Sequence, residues 1–242
     1  TDQKGDNTQK IKINGTGVKR SDFEDISVGK CFDKTCIFIG DIGDNKARKY
    51  SGQIIIIEEN KQYGSSVDPI KRLEITYPDG PHNAEGLAVH PNGDIYIVTK
   101  EENLRDFEAY PAKVYKLPKE VWENKNTKSA KLEHIGDIDL PSLNPSATAY
   151  GQVVSAFDIA PDGKKFLLLT YENAYEFSID LATQPIKPTE KLVKGEDYNV
   201  IELKSLPQQE SITYMPDGKS FLYNTEHHWF QVPIMRVDCQ DK

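Results

Sequence analysis

The chain has 242 residues, 37% of them hydrophobic, and a net charge of −8 from 30 Lys and Arg against 38 Asp and Glu. That length allows one large domain or two small ones, and the apolar share suffices for a sizeable core. The acidic balance argues against nucleic acid, whose phosphates demand a basic surface, and no run approaches the roughly 18 apolar residues of a membrane helix.

The chain opens on Thr1-Asp2-Gln3-Lys4, without Met and without a signal peptide, so it reads as processed or cropped. Ile11–Ile13 is a strand with no obvious partner, followed by a glycosylation sequon, Asn14-Gly15-Thr16. Next come two strand-like runs, Ile26–Val28 and Ile37–Ile39, joined by Cys31-Phe32-Asp33-Lys34-Thr35-Cys36. Cysteines at a hairpin neck are expected to form a disulfide, which implies an oxidising compartment; the alternative is a pair of reduced thiols. A zinc half-site is disfavoured, because no second Cys/His pair stands at ligand spacing. Cys239 is left over, a free thiol or one with a partner elsewhere.

Further strand-like runs follow at Ile54–Ile57, Leu73–Thr76, Ile95–Val98, Phe166–Thr170, Val200–Leu203 and Phe221–Tyr223. Turn signals such as Pro161-Asp162-Gly163 and Pro216-Asp217-Gly218 separate them, so the chain reads as all-β. The polar stretch 119–131 is expected to be a short helix or an irregular insertion.

One unit recurs. EGLAVHPNGDIYIVTK, starting at Glu85, aligns with ESITYMPDGKSFLYNTE, starting at Glu210; in both, Glu lies six residues before Pro. SAFDIAPDGKKFLLLTY fits with Ser155 in the acidic position, and EDISVGKCFDKTCIFIGD fits from Glu24 if the cysteine loop replaces the turn. Repetition every 50 to 70 residues or so, with about four strands per unit, is the signature of β-propeller blades. Expected boundaries are 1–20 for the last strand of an incomplete blade, then 21–78, 79–140 and 141–207 for blades and 208–242 for a partial one. Antiparallel pairing brings the start of the acid-bearing strand level with the end of the next. Glu24, Glu85 and Glu210 should therefore meet at one mouth of the central channel, beside Asp41, Thr99-Lys100, Thr170-Tyr171 and Thr225-Glu226.

These segments resemble a family of exported bacterial β-propellers of unsettled activity. The resemblance rests on Asp22-Phe23-Glu24-Asp25-Ile26-Ser27, Gly40-Asp41-Ile42-Gly43-Asp44-Asn45, His82-Asn83-Ala84-Glu85-Gly86-Leu87, Thr99-Lys100, the run from Phe157 to Gly163, Gln209-Glu210-Ser211-Ile212 and Asn224-Thr225-Glu226. Phe23 stands where that family usually has Trp, and an earlier family segment lies outside this chain. The resemblance implies five blades in the intact protein and a secreted or periplasmic location. From the chain alone, the orphan strand could instead close a four-bladed ring.

Three carboxylates in one mouth repel unless something neutralises them. One answer is Ca²⁺, which takes six to eight oxygens, with Glu24, Glu85, Glu210 and Asp41 as ligands and Asp44 and Asn45 as further candidates. The other is that the glutamates staple neighbouring blades through backbone amides. Asp158, three residues off the ring register, is expected in a turn contact. His82, His227 and His228 are candidate acid/base groups, since imidazole titrates near neutrality. Lys100, with Tyr171, Glu226 and Asp41 nearby, is the candidate contact for a small anionic molecule or a protein partner. Neither a G-x-S-x-G elbow nor an HExxH motif is present. Two function classes remain: a calcium-binding propeller that holds a ligand or partner at its channel, and a metal-assisted hydrolase of phosphoesters or lactones with His82 and Lys100 as catalytic groups.

Overall fold

Short apolar runs broken by tight turns satisfy their backbone polar groups most directly by pairing with the next run. The computed structural model follows that logic over residues 8–15, 21–103, 108–140, 151–188, 191–204, 206–226 and 233–239. Four antiparallel sheets form the blades of a β-propeller. The first contains Phe23–Cys31, Lys34–Asp41, Gly52–Glu58 and Lys71–Thr76, innermost to outermost, with Ser129–Lys131 added in parallel at its outer edge. The second contains Ala84–Val89, Ile95–Thr99, Ala112–Leu117 and Glu133–Ile138. The third contains Val154–Ile159, Phe166–Thr170, Asn173–Phe177 and Tyr198–Glu202. The fourth has three strands among the described residues, Gln209–Tyr214, Ser220–Thr225 and Met235–Asp238. The orphan strand, Lys12–Ile13, does not complete that blade; it pairs in parallel with Ser66–Val67.

The stretch 119–131 contains one helical turn, Lys119–Glu123, followed by the added edge strand. Its Trp122 is fully buried, lies edge-on to Phe38 and donates from Nε1 to the Gly93 carbonyl at 2.8 Å. This turn therefore plugs the seam between the first two blades.

Three apolar cores fill three seams. Phe38, Ile54, Leu87 and Tyr115 lie between the first and second blades; Tyr96, Val98, Phe157 and Tyr175 between the second and third; Leu167, Leu169, Ile212 and Phe221 between the third and fourth. A cavity of about 790 Å³ opens among the innermost strands of all four blades, along which Ile26 is 61% and Val28 56% exposed.

Side chains also bolt the blades together through backbone amides. Asp25 Oδ2 accepts from Leu87 N at 2.8 Å and Ser27 Oγ from Val89 N at 3.1 Å, linking the first blade to the second. Asp158 Oδ2 accepts from Tyr214 N at 2.8 Å and from the Thr213 hydroxyl at 3.0 Å, linking the third to the fourth. This corrects the turn contact expected of Asp158: it stands within a strand, at the repeat position of Ser27, so its side chain faces the next blade. Burial pushes its carboxyl up to about 6, against the pull of these hydrogen bonds.

Cys31 and Cys36 form the expected disulfide, with Cα atoms 5.8 Å apart at the closed end of the first hairpin. Cys239 is a free, half-buried thiol whose acidity burial suppresses.

Candidate functional site

Every blade carries the same irregularity in its innermost strand. Phe23 faces Asp41, yet Asp25 faces Gly40; Ala84 faces Thr99, yet Gly86 faces Val98. Likewise Val154 faces Thr170 and Ala156 faces Leu169, while Gln209 faces Thr225 and Ser211 faces Asn224. The residue passed over is Glu24, Glu85, Ser155 or Glu210. Each is the extra residue of a β-bulge, left out of the ladder and re-aimed relative to its neighbours. The repeat found in the sequence is thus a repeat of bulges, and the acids occupy three of the four.

The three glutamates come together as expected. Glu24 and Glu85 share a side-chain hydrogen bond, and Glu210 is near enough to raise the proton affinity of Glu24. Glu85 Oε1 lies 3.4 Å from Lys100 Nζ, and that ammonium donates to the Tyr171 hydroxyl at 2.6 Å and sits 5.0 Å from the ring centroid. Tyr171 in turn hydrogen-bonds Glu210. Glu85, Lys100 and Tyr171 thus form a chain of contacts across the second and third blades.

The loop after the first blade's second strand supports this cluster. Asn83 donates from Nδ2 to Glu85 Oε1 at 2.9 Å and accepts from Asp44 N at 2.7 Å. Asp44 is a loop brace, because its Oδ2 accepts from Arg48 N and Lys49 N. Gly43 lies against the cluster: a Cβ there would stand 2.0 Å from Glu24 Oε1 and displace that carboxylate. Asp41 Oδ1 accepts from Asp22 N at 2.7 Å and so anchors the entry to the bulged strand.

Desolvation raises all three carboxyls. Glu24 is pushed up to about 8 by burial first, then by Glu85 and Asp22. Glu210 rises to about 7 by burial and the charge of Glu85, and Glu85 rises by burial although Lys100 and Asn83 oppose it. Burial works to lower Lys100, but Glu85 outweighs it and the ammonium is held more firmly than usual. Burial and their mutual repulsion thus favour the protonated form of the Glu24–Glu85 pair.

The blade-bolting amides are engaged by Asp25, Ser27 and Asp158, whereas the glutamates contact side chains; this separates the cluster from the staples. Fully ionised, Glu24, Glu85 and Glu210 face the one ammonium of Lys100, and Asp22 and Glu226 add to the acidic field. The donors are all oxygen, which suits Ca²⁺ over softer metals. Among the described residues no group of three His, Cys, Asp or Glu already stands gathered around a metal position, so an ion would have to draw the carboxylates toward itself.

Beside the cluster lies a polar pocket of about 680 Å³, with Asn45, Arg48, Asn83, Lys100, Glu101 and Tyr110 on its walls. Glu226 is exposed at the rim, close enough to add to the proton affinity of Glu210. His82 is not brought into the cluster. Its Nδ1 meets Glu101 at 2.7 Å and its Nε2 meets Asp79 at 3.1 Å, and its ring packs on Tyr77 and Tyr115. Burial favours the neutral ring, but the two carboxylates prevail and raise its pKa. His227, His228 and Thr16 lie outside the described residues.

Sequence reasoning did not find Asn83 as the link between the two most specific segments, nor Asp25 and Ser27 as bolts. The spacing of Asn83, two residues before the recurring glutamate, was the available signal. Compared with protein-family models and with curated proteins, the chain matches none.

Proposed function

We propose that this is an exported binding propeller whose channel mouth takes a cation, Ca²⁺ by the chemistry of its donors, and seats a small anionic molecule in the adjoining pocket. The observation that carries this reading is the convergence of Glu24, Glu85 and Glu210, each the extra residue of a β-bulge, in one desolvated cluster whose members raise one another's proton affinity. Lys100 and Arg48 on the pocket wall supply the cationic contacts an anionic ligand needs. The Cys31–Cys36 disulfide supports an oxidising compartment, and no helix among the described residues is long and apolar enough to cross a membrane.

When bound, the ion would supply charge neutralisation and a polarising centre. Glu24, Glu85 and Glu210 would hold it, Asn83 would orient Glu85, and Lys100 would keep Glu85 ionised. The hydrolase alternative draws support from Glu24, a carboxyl that holds a proton near neutrality and so suits general-acid work. Against it, both ring nitrogens of His82 are engaged and Lys100 is paired with Glu85.

Calorimetric titration of the full chain with Ca²⁺ tests the proposal. One site is expected, and Glu85→Gln should weaken it by at least about tenfold while preserving the fold, since shape is kept and charge is lost. A wild type that takes up no Ca²⁺ would overturn the cation site.

A further inference from the structure

His82 lies outside the glutamate cluster, yet its ring is walled in by charge. The side chain is 11% exposed, Nδ1 lies 2.7 Å from Glu101 Oε1, and Nε2 lies 3.1 Å from Asp79 Oδ1. An ionised carboxylate only accepts, and a neutral imidazole has a single N–H, so two carboxylates on two ring nitrogens require the imidazolium. Asp79 has other partners as well: the Tyr115 hydroxyl donates to its Oδ1 at 2.7 Å, and Lys113 Nζ lies 3.1 Å from its Oδ2. Tyr77 and Tyr115 pack against the imidazole with centroids at 5.2 and 5.6 Å. His134, bonded to Asp137 at 2.8 Å, stands 5.3 Å from Tyr115. The ionisable groups around the ring are thus Asp79 and Glu101 in direct contact, Tyr77 and Tyr115 against it, and Lys113, His134 and Asp137 one contact further out.

The His82–Glu101 bond joins the two chain segments that hold Glu85. His82 immediately precedes Asn83, which donates to Glu85, and Glu101 immediately follows Lys100, which pairs with Glu85. Lys100 N donates to the Asn83 carbonyl at 2.8 Å, and Tyr110 N donates to the Glu101 carbonyl at 2.9 Å. Asn83, Lys100, Glu101 and Tyr110 all stand on the wall of the 680 Å³ pocket.

We infer that His82 is a pH-sensitive clasp: its imidazolium ties the entry of the second blade's first strand to the exit of its second, and loss of the proton loosens that wall of the pocket. Deprotonation turns one ring nitrogen into a lone pair facing a carboxylate oxygen, so an attraction becomes a repulsion. Asp79 then keeps Tyr115 and Lys113, whereas Glu101 has no other side-chain donor among the described residues. Glu101 is therefore the group let go, and its charge stands uncompensated one residue from Lys100. Burial opposes the imidazolium, but Glu101 and Asp79 outweigh it and carry the titration above the ordinary histidine value of about 6.5. A group raised in this way contributes stability that is lost as pH rises through its folded value, so the clasp is shut in acid and open in base. No ion at the glutamates is needed for this.

An NMR titration of the full chain in EDTA tests the clasp through the His82 ring and the amides of Lys100 and Tyr110. The ring should titrate above about 6.5, and Glu101→Gln, which keeps the shape and removes the charge, should bring the midpoint down toward that value. Hydrogen-exchange protection of the Lys100 and Tyr110 amides, corrected for the intrinsic rate at each pH, should fall at least about tenfold across the wild-type midpoint. The amide of Ile97, in the core of the same blade, should show no such step. His82→Gln, which keeps a donor but has no charge to lose, should show the reduced protection at every pH. A wild-type ring that titrates at or below the ordinary value, or a midpoint unmoved in Glu101→Gln, would overturn the clasp. So would Lys100 and Tyr110 amides without a step in the wild type, or with full protection in His82→Gln.

Discussion

Replacing Lys100 by Met is expected to lower the stability of the calcium-free protein by about 3–5 kcal/mol, the usual cost of leaving one partner of a buried ion pair alone. Lys100 is buried, pairs with Glu85 at 3.4 Å and donates to Tyr171 at 2.6 Å, so its loss leaves the buried Glu85 carboxylate without its counterion and takes one hydrogen bond from Tyr171. Thermal unfolding followed by circular dichroism should show a drop on the order of 10 °C. The loss should shrink as pH falls, because Glu85 then takes up a proton. Added Ca²⁺ should recover part of it and bind at least as tightly as to the wild type, while any anionic ligand of the adjoining pocket weakens. A variant that melts with the wild type at every pH would mean that Lys100 is not the internal counterion of the cluster.

Without calcium, the protein should become more stable as it is acidified from about pH 9 to about pH 5. Glu24, Glu210 and Asp158 are raised in the fold to about 8, about 7 and about 6. A group raised above its unfolded value contributes stability that is present below the unfolded value and is lost as pH rises through the folded one. His82, also raised, acts in the same direction. The charges facing Glu24 are those of Glu85, Asp22 and Glu210, with Lys49 3.9 Å from Asp22. Asp79 and Asp94 are lowered: burial raises both, but Tyr115, Lys113 and His82 outweigh it at Asp79, as Lys116 and the Lys119 amide do at Asp94. Their contributions are lost only as pH falls below about 4, the ordinary carboxylate range, so the optimum lies above that. Discounting for solvent screening of the partly exposed glutamates, the gain is on the order of 2 kcal/mol, or several degrees. Melting curves in EDTA across this range would decide it, and a melting temperature that rises toward pH 9 would contradict the assignment.

The blade repeat was legible because its signals are local: Glu six residues before Pro, the Pro-Asp-Gly turns, and β-branched runs of fixed length. The convergence of Glu24, Glu85 and Glu210 followed from antiparallel pairing alone. What escaped the sequence depends on facing. A bulge changes which way a side chain points without altering the residue pattern, so Glu24 as a re-aimed residue and Asp25 as a bolt into the next blade look alike on paper. Distance from the repeat frame alone points Asp158 to a turn contact, whereas its bond to Tyr214 N requires a neighbouring blade. His82 looked available until Asp79 and Glu101 were seen at both its nitrogens. The return of the loop that delivers the amides of Arg48 and Lys49 to Asp44 Oδ2 is equally a matter of facing.

Positive charge at the bulge mouth should stabilise the ring, and melting at pH 8 with and without calcium decides whether it does. A ligand that binds only the folded state stabilises it by RT ln(1 + [L]/Kd), about 2.7 kcal/mol at a hundred times Kd. Millimolar Ca²⁺ should raise the melting temperature of the wild type by several degrees, EDTA should reverse the rise, and Glu85→Gln should respond little to either. Superimposable wild-type curves in calcium and in EDTA would contradict it.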